Sequence, residues 1–87
     1  RTPIQCFDEY LNWSLVSLWY IDHAPENDLD KLISLNRNYM VNTRGFLLFK
    51  EFDEFLVHAY RNRNENDIIA DLFPSIIEWF ESNRNIP

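Results

Sequence analysis

A single glycine, Gly45, in 87 residues constrains this chain more than any other feature of it. Glycine supplies the positive-φ conformations of tight hairpin turns, and an all-β domain needs such a turn about every ten residues. With one Gly and four Pro, the chain has material for only a few joints between long elements, and long helices suit it best. Seven Phe, four Tyr and three Trp add a second constraint. Aromatic rings bury more apolar area than other side chains, so they let a short chain build a substantial core. The expectation is one helical domain, residues 1–87, near the lower size limit for folding without a disulfide or a metal. Its 46% apolar and 25% charged residues lie in the ordinary globular range and argue against disorder.

Four helical segments can be placed. Thr2, Pro3 and Gln5 form a capping box with Pro in the first turn, where its missing N–H costs nothing. Ile4, Phe7, Leu11, Leu15 and Leu18 then recur at helical spacing, with Trp13, Val16 and Tyr20 on an adjoining face, and the helix runs to about Asp22. Pro25 breaks the pattern, and Asn27 or Asp28 can cap a second helix that runs to about Tyr39 with Leu29, Leu32, Ile33 and Asn36 on one face. Asn42-Thr43-Arg44-Gly45 marks the next joint. A third helix spans about Phe46 to Tyr60. Phe49, Phe52, Leu56 and Tyr60 form its inner face, and Lys50, Glu51, Asp53, Glu54 and His58 its outer one. The run Phe46 to Phe49 is also compatible with a strand, which would make the fold mixed. Beyond a polar loop, Ile69, Leu72, Phe73, Ile76 and Phe80 keep helical spacing across Pro74, so the last helix is kinked or split there. The predicted fold is an all-α, antiparallel bundle of about four helices.

Fourteen Asp and Glu against eight Lys and Arg leave a net charge of −6. That balance disfavours nucleic acid, whose phosphates call for a basic footprint, and anionic membranes for the same reason. No apolar run approaches the ~20 residues of a membrane-spanning helix. Cys6 has no second cysteine to pair with, which fits a reduced, cytoplasmic setting and a small buried hydrophobe better than a reactive thiol.

Sites for chemistry are scarce. Glu51, Glu54 and His58 share a helix face, but a metal centre needs ligands from a second helix, and no matching histidine stands elsewhere. A solvated helix face is the expected reading, with no metal and no cofactor. The stretch Asp22, His23, Glu26, Asp28, Asp30 lacks the glycine of a calcium loop. Its acids suit a helix N-terminus or a contact surface for a basic partner. One glycine cannot build a phosphate loop, and no nucleophile motif surrounds the serines, so no catalytic residue is assigned. Trp13, Trp19, Trp79, Tyr10, Tyr20 and Tyr39 exceed what so small a core can hold with every polar tip satisfied, and some are expected at the surface. Trp and Tyr beside acids are characteristic anchors of protein interfaces.

In size, acidity and helical build the chain resembles small bacterial immunity proteins, which bind and neutralise toxin domains in colicin D or contact-dependent growth inhibition systems. The resemblance is one of type over the whole chain and carries no motif. It implies tight one-to-one binding to a basic, nuclease-type toxin domain whose active site is covered by carboxylates. The residues expected to bind that partner are Asp22, Glu26, Asp28, Asp30, Glu51, Asp53 and Glu54, with Trp19 and Tyr20. The other functional class open to such a chain is a helical adaptor or self-assembly domain from a larger protein. Either reading is non-enzymatic; the first makes the chain a monomer or one half of a one-to-one heterodimer, the second lets it bind a peptide or self-associate.

Overall fold

The computed structural model describes residues 3–83, with side chains from Phe7 onward. The Thr2 cap and the placements of Ile4 and Cys6 therefore lie outside the described side chains. Four α-helices and two tighter or wider helical turns account for nearly all of the described chain, and no strand occurs among the described residues. Helix α1 spans Pro3–His23, α2 Glu26–Asn38, α3 Phe49–Arg61 and α4 Phe73–Ser82. A π-type turn over Tyr39–Thr43 follows α2, and a 3-10 turn over Ile69–Leu72 leads into α4.

Side-chain contacts fix the directions. Along α1, Tyr10 meets Phe49, Ser14 and Ser17 meet Asp53, and Asp22 meets Tyr60. Both helices therefore run the same way. Helix α2 returns alongside them: Asn36 near its end reaches the Trp13 carbonyl, and Arg37 reaches Asp53. Helix α4 also returns, bringing Phe80 to Phe7 and Tyr10 and Trp79 to Phe52. The result is an up-down-up-down bundle with α1 and α3 at the centre. On α1, Trp13 faces α2 while Phe7 faces α4, so the two outer helices flank the central pair on opposite sides. Extents of 35 × 30 × 15 Å follow from that arrangement, a slab about two helices thick.

The core runs along the α1–α3 seam. Tyr10, Leu18, Phe46, Phe49, Phe52, Leu56, Val57, Leu72 and Ile76 are buried there, together with Met40 from the π-type turn. Two joints differ from the sequence expectation, and at a third the structure decides between its two alternatives. Helix α2 has no side-chain cap at Asn27 or Asp28; it starts directly after Pro25, whose φ of −57° and ψ of 138° set the entry. Helix α3 begins one turn later than Phe46, because Phe46 is drawn into the core by Tyr10 and the segment to Leu48 forms a turn. The Phe46–Phe49 run is thus no strand. At Pro74 the chain is split rather than kinked: the 3-10 turn ends at Leu72, and Pro74 sits in the first turn of α4, where an N–H is dispensable.

Candidate functional site

Polar groups occupy two distinct settings, one inside the bundle and one on its surface. The inner set is centred on Asp53. Its carboxylate is wholly buried, with Oδ1 accepting from the Ser14 hydroxyl, while Oδ2 accepts from Ser17 Oγ at 2.8 Å and from Arg37 Nε at 2.7 Å. Two helices thus converge on a third through one carboxylate. Both serines are themselves fully buried, and no buried side-chain polar atom lacks a partner among the described residues. A charge taken out of water is tolerable only when paired and hydrogen-bonded in this way. The expectation that Asp53 stands on the outer face of α3 and meets a partner is therefore corrected. It lies four residues after Phe49 and three before Leu56, in the middle of the inward row. Sequence reasoning took its charge as a sign of exposure. Two signals pointed inward: that row, and the matching one in α1, where Ser14 and Ser17 sit between Tyr10 and Ile21.

Of the six surplus aromatics, Trp19 and Tyr39 are exposed, as expected of some of them, and Tyr10 is not. It is buried, and its tip is satisfied because its hydroxyl oxygen accepts from the Leu48 N–H at 3.2 Å. That N–H opens α3 and has no partner within its own helix, so α1 supplies a cap that the local sequence lacks. Trp13 and Trp79 are half-buried, the first under the Arg44 guanidinium at 5.4 Å and the second against Phe52 and Phe55.

The outer setting lies at the α1–α2 junction. Trp19 is 57% exposed. One turn later on α1, His23 stacks on it with centroids 4.5 Å apart and planes 17° from parallel, its Nδ1 lying 3.0 Å from the Trp19 carbonyl. Half-buried Tyr20 meets the same indole edge-on at 6.1 Å. The indole is thereby held between two rings while its outer area stays in water. Just beyond, Glu26, Asp28 and Asp30 are exposed on the first turns of α2, and none of them has an ion-pair partner among the described residues. Glu26 and Asp28 sit where the helix macrodipole favours negative charge. Asp22 is exposed too, but its Oδ2 accepts from the Tyr60 hydroxyl at 2.6 Å, tying the end of α1 to the end of α3. That bond and the Asp22 charge, together with burial, raise the Tyr60 pKa above its usual value of 10.0, and Arg63 partly opposes the shift. Asp22 is thus partly committed to the fold.

Glu51 and Glu54 are exposed on α3, away from this junction in sequence, and Glu54 lies 4.0 Å from Lys50 in a surface pair. His58 is exposed beside Asn62. No group of three His, Cys, Asp or Glu side chains converges closely enough for a metal ion among the described residues. Trp19, Tyr20 and Asp22 thus lie in the last turns of α1 and Glu26, Asp28 and Asp30 in the first turns of α2, while Glu51 and Glu54 stand on another helix and Asp53 is inside.

Ion pairing sharpens the charge balance. Among the described residues only Glu9, Asp53 and Glu54 of the fourteen acids are paired, with Arg44, Arg37 and Lys50. The bundle thus spends three of its few cations internally and leaves most of its carboxylates to solvent. No helix among the described residues is long and apolar enough to cross a membrane. No family model, curated protein or solved structure matches the chain.

Proposed function

We propose that this chain is a non-enzymatic binding protein that covers a basic surface of a protein partner, in the manner of the toxin-neutralising immunity proteins whose size, acidity and helical build it resembles. One observation carries the reading. A pre-positioned, mostly exposed indole, Trp19, lies in the last turns of α1, and the helix that follows opens with Glu26, Asp28 and Asp30, which have no counter-charge among the described residues. A rigid aromatic anchor with a charged rim is the composition from which interface hot spots are built. The His23 and Tyr20 contacts lower the entropy that Trp19 would lose on docking. Unpaired carboxylates attract a basic surface from a distance and raise the association rate, an effect that salt screens over about 8–10 Å. The partner that fits is a basic, nuclease-type toxin domain, whose substrate-binding cleft is cationic because it holds phosphates.

The neighbouring gene is the first test. If it encodes a toxin with such a domain, the two purified proteins form a one-to-one complex that abolishes the nuclease activity, and Trp19→Ala weakens that complex about tenfold or more. A neighbouring metabolic operon, or a toxin domain left fully active by excess chain, overturns the reading.

A further inference from the structure

A second surface stands apart from the α1–α2 junction, on α4 and the turn that leads into it. Among the described residues, helix α4 is held on one side only. Leu72, Ile76, Trp79 and Phe80 turn inward at helical spacing, while Phe73 and Ile77, one turn apart on the outer side, are 42% and 50% exposed. Ile68, at the head of the 3-10 turn, is 65% exposed. Outward apolar pairs one turn apart also occur at Leu15 and Trp19 and at Leu35 and Tyr39, so exposure alone does not single out this face. The charge around it is of one sign. From Asn64 to Asn83 the sequence carries Glu65, Asp67, Asp71, Glu78 and Glu81 and no Lys, Arg or His, the flanking cations being Arg63 and Arg84. Glu81 continues the Phe73–Ile77 row by one further turn, and Glu78 lies beside it. Arg63 is held elsewhere, its guanidinium over the Tyr60 ring and bonded to the Tyr60 carbonyl.

We infer that the outer face of α4 docks a basic amphipathic helix of a protein partner. Its apolar row would lie on Phe73 and Ile77, and its Lys or Arg residues would meet Glu78, Glu81 and Asp71. The charge pattern selects this occupant. A second copy of the chain would bring the same acids against one another across a symmetric interface, and an anionic membrane would be repelled. A helix suits the shape, since an i, i+4 row along ten residues offers a ridge about 15 Å long against which another helix packs. This surface is independent of the Trp19 site, and either can fail without the other.

The probe is a synthetic Leu/Lys peptide of about two heptads with its leucines on one helical face, set against a Leu/Glu peptide of the same pattern. Titrated into isotopically labelled chain and followed by NMR, the Leu/Lys peptide is expected to shift the amides of Phe73, Ile77 and Glu81 most. Ile77→Ser, a change at an exposed position, should weaken its binding about tenfold or more, while Asp28→Asn with Asp30→Asn leaves it within about twofold. The Leu/Glu peptide should not bind. Shifts centred on Trp19 and Asp28 instead, affinity unchanged in Ile77→Ser, or equal binding of both peptides overturns the inference. So does sedimentation showing a dimer that Ile77→Ser dissolves, because the face would then belong to a second copy.

Discussion

Asp53 joins three helices through one carboxylate, and its removal should be felt by all of them. In Asp53→Ala the Arg37 guanidinium loses its counter-ion, and the hydroxyls of Ser14 and Ser17 are left buried without an acceptor. Breaking a buried pair in this way costs about 3–5 kcal/mol, a large share of the stability of a domain this small. Ser14→Ala removes one neutral donor and should cost about 1–2 kcal/mol. Urea denaturation, read by the change in midpoint at constant slope, measures both. Tyr60 gives a residue-level test in pH. Its hydroxyl donates to Asp22, so the folded state favours the protonated phenol and holds its pKa above the unfolded value of 10.0. The stabilisation is present in full below that unfolded value and is lost as pH rises through the higher folded one. A residue-resolved NMR titration should show Tyr60 ionising above 10.0, and Asp22→Asn should lower its pKa. A Tyr60 titration unmoved by Asp22→Asn would contradict the assigned bond.

Among the elements, the passage from α2 to α3 shows what a local pattern can and cannot announce. Gly45 was readable as a joint because it is the chain's single glycine, and it does adopt a left-handed φ of 76°. Nothing lies within 4 Å of where its Cβ would stand, so substitution meets backbone strain alone. Gly45→Ala should destabilise by about 1–2 kcal/mol in thermal or urea unfolding, and Gly45→Asn by less, since asparagine tolerates that region better. The π-type turn before it was not legible. Its Arg44 N–H bonds back to the Tyr39 carbonyl and the Phe46 N–H to Met40, a widening that carries Met40 into the core. No residue type signals such a turn, because it is imposed by packing. The late start of α3 is similar: Tyr10, far away in sequence, caps it at Leu48. At Pro74 both a kink and a split satisfied the apolar spacing, and the first-turn position of Pro74 in α4 shows the split. Periodicity found the helices; contacts between them set where each one begins and ends.

At the scale of the whole molecule, the flat bundle exposes both flanking helices along their outer faces, and the acidic balance is expressed there rather than neutralised within. The helical class and the acidic surface followed from composition, since neither depends on which residues touch. The division between inner and outer acids did not, because an aspartate reads alike whether it meets Arg37 or water. Trp19 and the acids of α2 fall at the same joint because only Ala24 and Pro25 separate the end of α1 from the start of α2. The most direct measurement is titration calorimetry of the chain, at low and at physiological salt, against the basic nuclease-type domain that the proposal expects its neighbouring gene to encode. The wild-type chain should bind one-to-one and more weakly as salt rises; Asp28→Lys with Asp30→Lys should weaken binding about tenfold or more and flatten that salt dependence, with the fold retained and the unfolding midpoint lowered only by the lost negative charge at the α2 N-terminus. Affinity and salt dependence both unaltered by the charge reversals would contradict the acidic docking surface.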